Sequence, residues 1–353
     1  MFSKLHKIPG IYLLLVAILL TGCSGGQSTE APGTGGEVKL ILAAYTTPRE
    51  AYRELIPIFQ EQWKEKTGQN VVFEESYQGS GAQSRAVAEG FEADIVALSL
   101  EADVIRLEDA GLITHDWRSQ PFGGMVSTSV VAFAVREGNP KGIQDWADLA
   151  QPELEVLTPN PKTSGGAMWN ILALYGATQR GHVTGFNADD AGAQDFLLSV
   201  LQNVTVMDKS ARDSIVNFEK GVGDVAITYE NEVLVGQQAG LPYELVLPSS
   251  TIQIDNPIAI VDAYADKHGT RDVAEAFIEF LFTPEAQQIF AKHGLRSPDP
   301  EVAQTTTEQY PPIEDLFTID HFGGWKEATP KYFGETGIFY QVLEQVQGIQ
   351  ISE

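Results

Sequence analysis

Three short turns in this 353-residue chain carry the residues best suited to chemistry: Gly79-Ser80-Gly81, Thr163-Ser164-Gly165-Gly166 and Ser210-Ala211. Each follows a strand-like run (VVFEESYQ, VLTPNPK and VTVMDK) and opens directly into a helix-like one. The first amides of a helix have no intrahelical acceptor, and the macrodipole puts partial positive charge at the same point. Glycine lets an anion approach the backbone and serine adds a hydroxyl donor. Such a turn holds an anion without any basic side chain. One such turn is an ordinary helix cap. Three in one chain raise the question of an anion site without answering it.

The elements that must position these turns alternate. Residues 38–44 (VKLILAA) suit a buried strand, and 48–67 has helical spacing, with Tyr52, Leu55, Ile56, Phe59 and Trp63 on one face. Strand-like runs follow at 71–73 and 93–100, with helical spacing at 82–89 between them. A long β-branched run, 126–135, is suited to connecting two lobes. The rhythm repeats with strands at 155–157, 204–207 and 225–228 and helices at 169–175, 213–220 and 273–281. Alternation of this kind predicts an α/β protein with mostly parallel sheets and helices on both faces. Ligands of such sheets bind at the carboxyl ends of strands, where the three turns lie. A body of roughly 315 residues exceeds the usual single core, so two lobes are expected.

The ends and the composition narrow the setting. Lys4, His6 and Lys7 precede a ten-residue apolar run, 11–20, too short to span a membrane core, which takes about 20 residues. Residues 1–22 therefore read as a secretory signal. It ends in Leu20-Thr21-Gly22-Cys23, the lipobox pattern, so Cys23, the one cysteine in the chain, is the expected lipidation site. Residues 23–37 are rich in Gly, Ser, Thr and Pro and read as a flexible tether. The expected location is the periplasm or another extracytoplasmic face, with the lipid on Cys23 as membrane anchor. A formal charge of -25 argues against a nucleic-acid partner. The 48 acidic residues form no EF-hand pattern, so no metal is predicted. None of His6, His115, His182, His268, His293 and His321 sits in a nucleophile–base or zinc motif, and no Walker motif is present, so no enzymatic activity and no cofactor is expected.

The turns also carry a family resemblance, which runs from Val38 to about Phe339. The chain resembles the sulfate-binding proteins of bacterial ABC importers. Tyr45-Thr46-Thr47-Pro48-Arg49-Glu50 is similar to the family's opening Y-D-x-x-R-E. Arg136-Glu137-Gly138-Asn139-Pro140-Lys141 with Asp145-Trp146-Ala147-Asp148-Leu149 matches V-R-x-G-N-P-K-x-x-x-D-W-x-D-L after its valine. Asn160-Pro161-Lys162-Thr163-Ser164-Gly165-Gly166-Ala167 matches the signature N-P-K-[ST]-S-G-x-A-R up to its last residue, which is Met168 here. Phe317-Thr318-Ile319-Asp320 and Phe322-Gly323-Gly324-Trp325 resemble the closing block.

The resemblance implies a type II periplasmic binding protein: two α/β lobes, residues 38–129 with 255–353 and residues 130–254, joined by two hinge crossings. It implies sulfate or thiosulfate held between the lobes by neutral donors, with molybdate, phosphate or a sensor or scaffold role as alternatives. The donors carried across are Ser80, Gly81, Ser164, Gly165, Gly166 and Ala211, with Tyr229 standing where the family has a tryptophan indole. Thr46, or Thr47 if the turn shifts, stands in place of the family's aspartate. The implied partners are an ABC permease and ATPase complex, and the receptor itself is expected as a monomer.

Overall fold

The computed structural model describes residues 36–346 and 348–351. The expected signal segment, Cys23 and all but the last two residues of the expected tether lie outside the described residues.

The strands are β1 (Glu37–Tyr45), β2 (Asn70–Gln78), β3 (Ile95–Ala97), β4 (Met125–Arg136), β5 (Val156–Pro159), β6 (Val204–Asp208), β7 (Val225–Tyr229), β8 (Tyr243–Val246), β9 (Ser250–Ile260), β10 (Asp315–Phe317) and β11 (Gln350–Ile351). They form a mixed sheet in the order β11-β6-β5-β7-β4-β9-β3-β1-β2, with β8 on β4 and β10 on β9. β1 pairs in parallel with β2 and β3, and β5 pairs in parallel with β6 and β7. Between these two triples run the long antiparallel strands β4 and β9, paired at Ser129↔Ile254 and Thr128↔Asp255. Each serves both sides. β9 continues onto β3, while the far half of β4 pairs with β7 and β8.

The helices that follow the strands are α1 (Arg49–Thr67), α2 (Ser80–Ala88), α3 (Glu101–Asp109), α4 (Gly165–Gln179), α5 (Asp190–Asn203), α6 (Ala211–Glu219), α7 (Glu230–Gln238), α8 (Asp262–His268), α9 (Arg271–Leu281) and α10 (Pro284–Lys292). α2, α4 and α6 begin within the three turns singled out from sequence. α3, α5, α7, α8 and α10 have no counterpart in the sequence reading. Among the described residues no helix is long and apolar enough to cross a membrane.

The first triple is covered on both faces, which is why β1 reads as a continuous apolar run. Leu40, Leu42 and Ala44 face Tyr52 and Phe59 of α1 and Phe277 of α9. Ala43 faces the opposite way, toward Val104, Leu107 and Trp117. In the second triple, α4 is buried all round from Gly165 to Thr178, as a helix covered on both sides must be. One cover is the sheet. The other is the C-terminal segment: Phe317, Phe322, Trp325, Tyr332 and Phe339 share a core with Trp169, Leu172 and Tyr175 of α4. A Cβ on Gly176 would meet the Phe317 ring at 2.5 Å. This differs from the expectation that all of 255–353 belongs with the first lobe. Residues 315–351 pack on the second half, with β10 on Ser250–Ile252 and β11 on β6. The physical reason is α4, whose outer apolar face needs a cover.

Phe277 tests the first core. It is fully buried, with ring centroids 4.8 Å from Phe73 and 5.0 Å from Phe59. Phe277→Ala should destabilise the protein by about 3–5 kcal/mol, measured by denaturant unfolding.

Candidate oxyanion site

The carboxyl ends of six strands converge. Tyr45 ends β1, Gly79 follows β2 and Ser99 follows β3; Ser164, Ser210 and Tyr229 stand at the ends of β5, β6 and β7. Together with Thr46, Thr47, Ser80, Gly166 and Ala211 these residues line one small cavity of ≈ 10 Å³. That is space for a single small ion or water. The lining contains no Asp, Glu, Lys, Arg or His.

Backbone approach across the seam is close. Ala82 N–H donates to Thr163 O at 3.1 Å, and Trp169 Nε1 donates to Ser99 O at 2.7 Å. A Cβ on Gly79 would meet Thr163 O at 2.6 Å and Lys209 O at 2.7 Å. One on Gly166 would meet the Tyr229 ring at 2.7 Å. Glycine is needed at both positions because two turns press against it, and no left-handed backbone is involved.

Each helix start leaves donors free. Ala167 N–H is capped by Ser164 Oγ, and Asp213 N–H by Ser210 Oγ. The earlier amides, those of Ser80, Gly81, Gly165, Gly166 and Ala211, have no intrahelical acceptor and find no other acceptor among the described residues. Four hydroxyl oxygens in the cavity wall are buried without a hydrogen-bond partner: Tyr45 Oη, Thr47 Oγ1, Ser99 Oγ and Tyr229 Oη. Ser99 lies beside Tyr229 and Thr47 beside Glu232, but neither pair reaches bonding geometry. Burial raises the pKa values of Tyr45 and Tyr229 far above the ordinary phenol value, so both stay protonated donors at physiological pH.

Three arginines nearby are paired with carboxylates. Asp103 takes Arg106 Nη1 at 2.7 Å and the Ser80 hydroxyl at 2.6 Å. Arg212, next to Ala211, pairs with Glu50 at 2.9 Å and Glu232 at 2.6 Å, chiefly the Glu232 charge holding it protonated. Glu230, next to Tyr229, turns away to Arg296, which donates to it at 2.7 and 2.9 Å.

Of the residues named from sequence, Ser80, Ser164, Gly166, Ala211 and Tyr229 line the cavity. Gly81 and Gly165 adjoin it on the same helix starts. Ser80 Oγ is saturated, donating to Asp103 and accepting from Ser99 N–H at 2.9 Å, so its free donor is the amide and not the hydroxyl. Met168, where the resembling family has arginine, is buried in the core and absent from the lining. Thr46 and Thr47 both line the cavity. Sequence reasoning missed Ser99 and the Tyr45 hydroxyl. The signal for Ser99 was present, since the run ADIVALSL also carries a hydroxyl residue, one position from its end, before a helix.

Parallel strand triples joined by two long crossing strands, with helix starts converging on a cavity between them, define a solute receptor of the type II periplasmic binding class. The chain belongs to the bacterial extracellular solute-binding protein family, whose pattern matches residues 40–296. It is 45% identical to a sulfate-binding protein of Synechococcus elongatus, with 94% of each chain covered. It is 33% identical to a thiosulfate-binding protein of Pseudomonas aeruginosa, covering 94% of this chain and 98% of that one. The crystal structure of the sulfate-binding protein SubI from Mycobacterium tuberculosis is similar, with a TM-score of 0.77 at 38% identity over 84% of this chain and 99% of that one.

Gly79→Ala should force the seam apart, because both atoms it meets are backbone carbonyls. The Ala82 amide should then exchange faster in hydrogen-exchange mass spectrometry, while amides of β1 and α9 keep their protection.

Proposed function

We propose that this chain is the sulfate receptor of an ABC importer, holding the dianion in the cavity at the seam and presenting it to a membrane permease and its ATPase. The observation that carries this is the chemistry of the lining: free amides of three helix starts and buried hydroxyls, with no charged side chain among them. Fixed dipoles of this kind hold an anion by charge-assisted hydrogen bonds. Hydrogenphosphate must also donate a proton, and it finds no carboxylate here to take it. Sulfate meets that condition, and the names of the relatives support it.

In this reading β4 and β9 are the two hinge crossings, and the two triples are the lobes. The first lobe comprises residues 38–129 and 255–314, and the second comprises 130–254 and 315–351. Ligand bound to amides from both lobes favours the closed form. The donors are the amides of Ser80, Gly81, Gly165, Gly166 and Ala211, together with the hydroxyls of Ser164 and Tyr229. The relatives carry the names of binding proteins, which supports a binding role for this chain. Cys23, at the end of the Leu20-Thr21-Gly22-Cys23 motif, carries the lipid that tethers it to the membrane.

Calorimetric titration of the protein from Ser24 onward tests the reading. Sulfate should bind with micromolar or tighter affinity, phosphate much more weakly. Sulfate affinity should stay flat between about pH 5 and 9, since the donors are amides and hydroxyls whose ordinary pKa values, about 10 for tyrosine, lie above that range. Burial moves the two tyrosines further away still. Tyr229→Phe should weaken sulfate about 10–100-fold by removing one bond to a charged ligand. The melting temperature of the ligand-free protein should not fall, because that hydroxyl has no protein partner. Equal affinity for phosphate and sulfate would remove the proposal.

A further inference from the structure

We infer that Ser99 is a specificity-determining residue, setting a preference for sulfate over thiosulfate; this rests on the oxyanion reading above. Ser99 is the best-held residue of the cavity wall, and every one of its bonds is made by the main chain. Its N–H donates to Ser80 Oγ at 2.9 Å, and that oxygen is itself fixed by donating to Asp103 at 2.6 Å. Its carbonyl accepts from Trp169 Nε1 of α4 at 2.7 Å and from Asn256 Nδ2 of β9 at 3.2 Å. One triple, the other triple and a crossing strand therefore all fix the same peptide. The side chain is what they leave over. Ser99 is 1% exposed, and its Oγ faces the cavity with no partner.

The wall behind it is tight. The space that a Cβ on Gly165 would fill is taken by Ser99 Oγ and Leu100, so the hydroxyl is packed at the start of α4, beside Tyr229. A sulfate oxygen accepts its proton well. The terminal sulfur of thiosulfate is larger and a weaker acceptor, so placed at this wall it satisfies the donor less well. A buried donor left without an acceptor is what makes such sites reject a near-isostere. Replacing the hydroxyl by hydrogen, as Ser99→Ala does, turns the spot into a small apolar niche that suits sulfur better than oxygen.

The test is paired calorimetric titration of wild-type protein, Ser99→Ala and Ser99→Cys with sulfate and with thiosulfate, alongside thermal melting without ligand. For both variants sulfate affinity should fall about 10–100-fold, while thiosulfate affinity stays nearly constant or improves. The sulfate-to-thiosulfate preference should therefore drop by about tenfold or more. Melting temperatures should hold, since the main-chain bonds of residue 99 remain. An equal loss for both anions, or a lowered melting temperature with unchanged preference, would make Ser99 merely structural and overturn the inference. Unchanged affinities in both variants would overturn it too. Wild-type protein that binds neither anion would instead overturn the receptor reading beneath it.

Discussion

The organising constraint is that a buried hydrogen-bond donor must find an acceptor. Leaving one unpaired costs about 1–3 kcal/mol, and most folds avoid it. Here amides at three helix starts and four hydroxyls are gathered on a single cavity, and none of them has an acceptor in bonding geometry among the described residues. Such a concentration of donors is a standing cost to stability and a standing affinity for an anion. The sheet topology serves it: two parallel triples deliver six strand ends to one place, and the long strands β4 and β9 hold those ends face to face.

The charges around the cavity follow from the same constraint. A lone carboxylate in the wall would repel an anion, and a lone guanidinium would bind anions with little regard to protonation. Several nearby charges are instead closed into pairs: Arg106 with Asp103, Arg212 with Glu50 and Glu232, Arg296 with Glu230. Burial raises the pKa values of Glu230 and Glu232, and the adjacent arginines oppose that. What reaches the cavity is then the field of oriented dipoles. This reconciles an anion site with a body of net charge -25, because the long-range field is screened by salt within about 8–10 Å while the short-range dipoles are not.

Much of this was legible in the sequence because the chemistry is local. A strand that ends in Gly-Ser-Gly or Ser-Gly-Gly before a helix announces free amides, and Ser80, Ser164, Gly166 and Ala211 do line the cavity. The helix over 48–67 and the crossing strand over 126–135 were equally readable from spacing and β-branching. Ser80 shows the limit of local reading. Its hydroxyl looks like a ligand donor until Asp103, 23 residues on, claims its proton. Ser99 shows the converse, an unremarkable serine whose role appears only when Trp169 and Asn256 arrive from distant parts of the chain to fix it.

By itself, then, the sequence determined the alternating elements, the helix starts and the kind of ligand they can hold, since period, capping and backbone freedom are properties of neighbouring residues. The tertiary structure decided which donors are free and which are spent, because that depends on partners far apart in the chain. It also decided where residues 315–351 go. Phe317, Trp325 and Tyr332 are apolar enough to cover any bare face, and nothing in their spacing says which. The choice of α4 is made by its all-round apolar surface and by Gly176, whose missing side chain leaves room for the Phe317 ring.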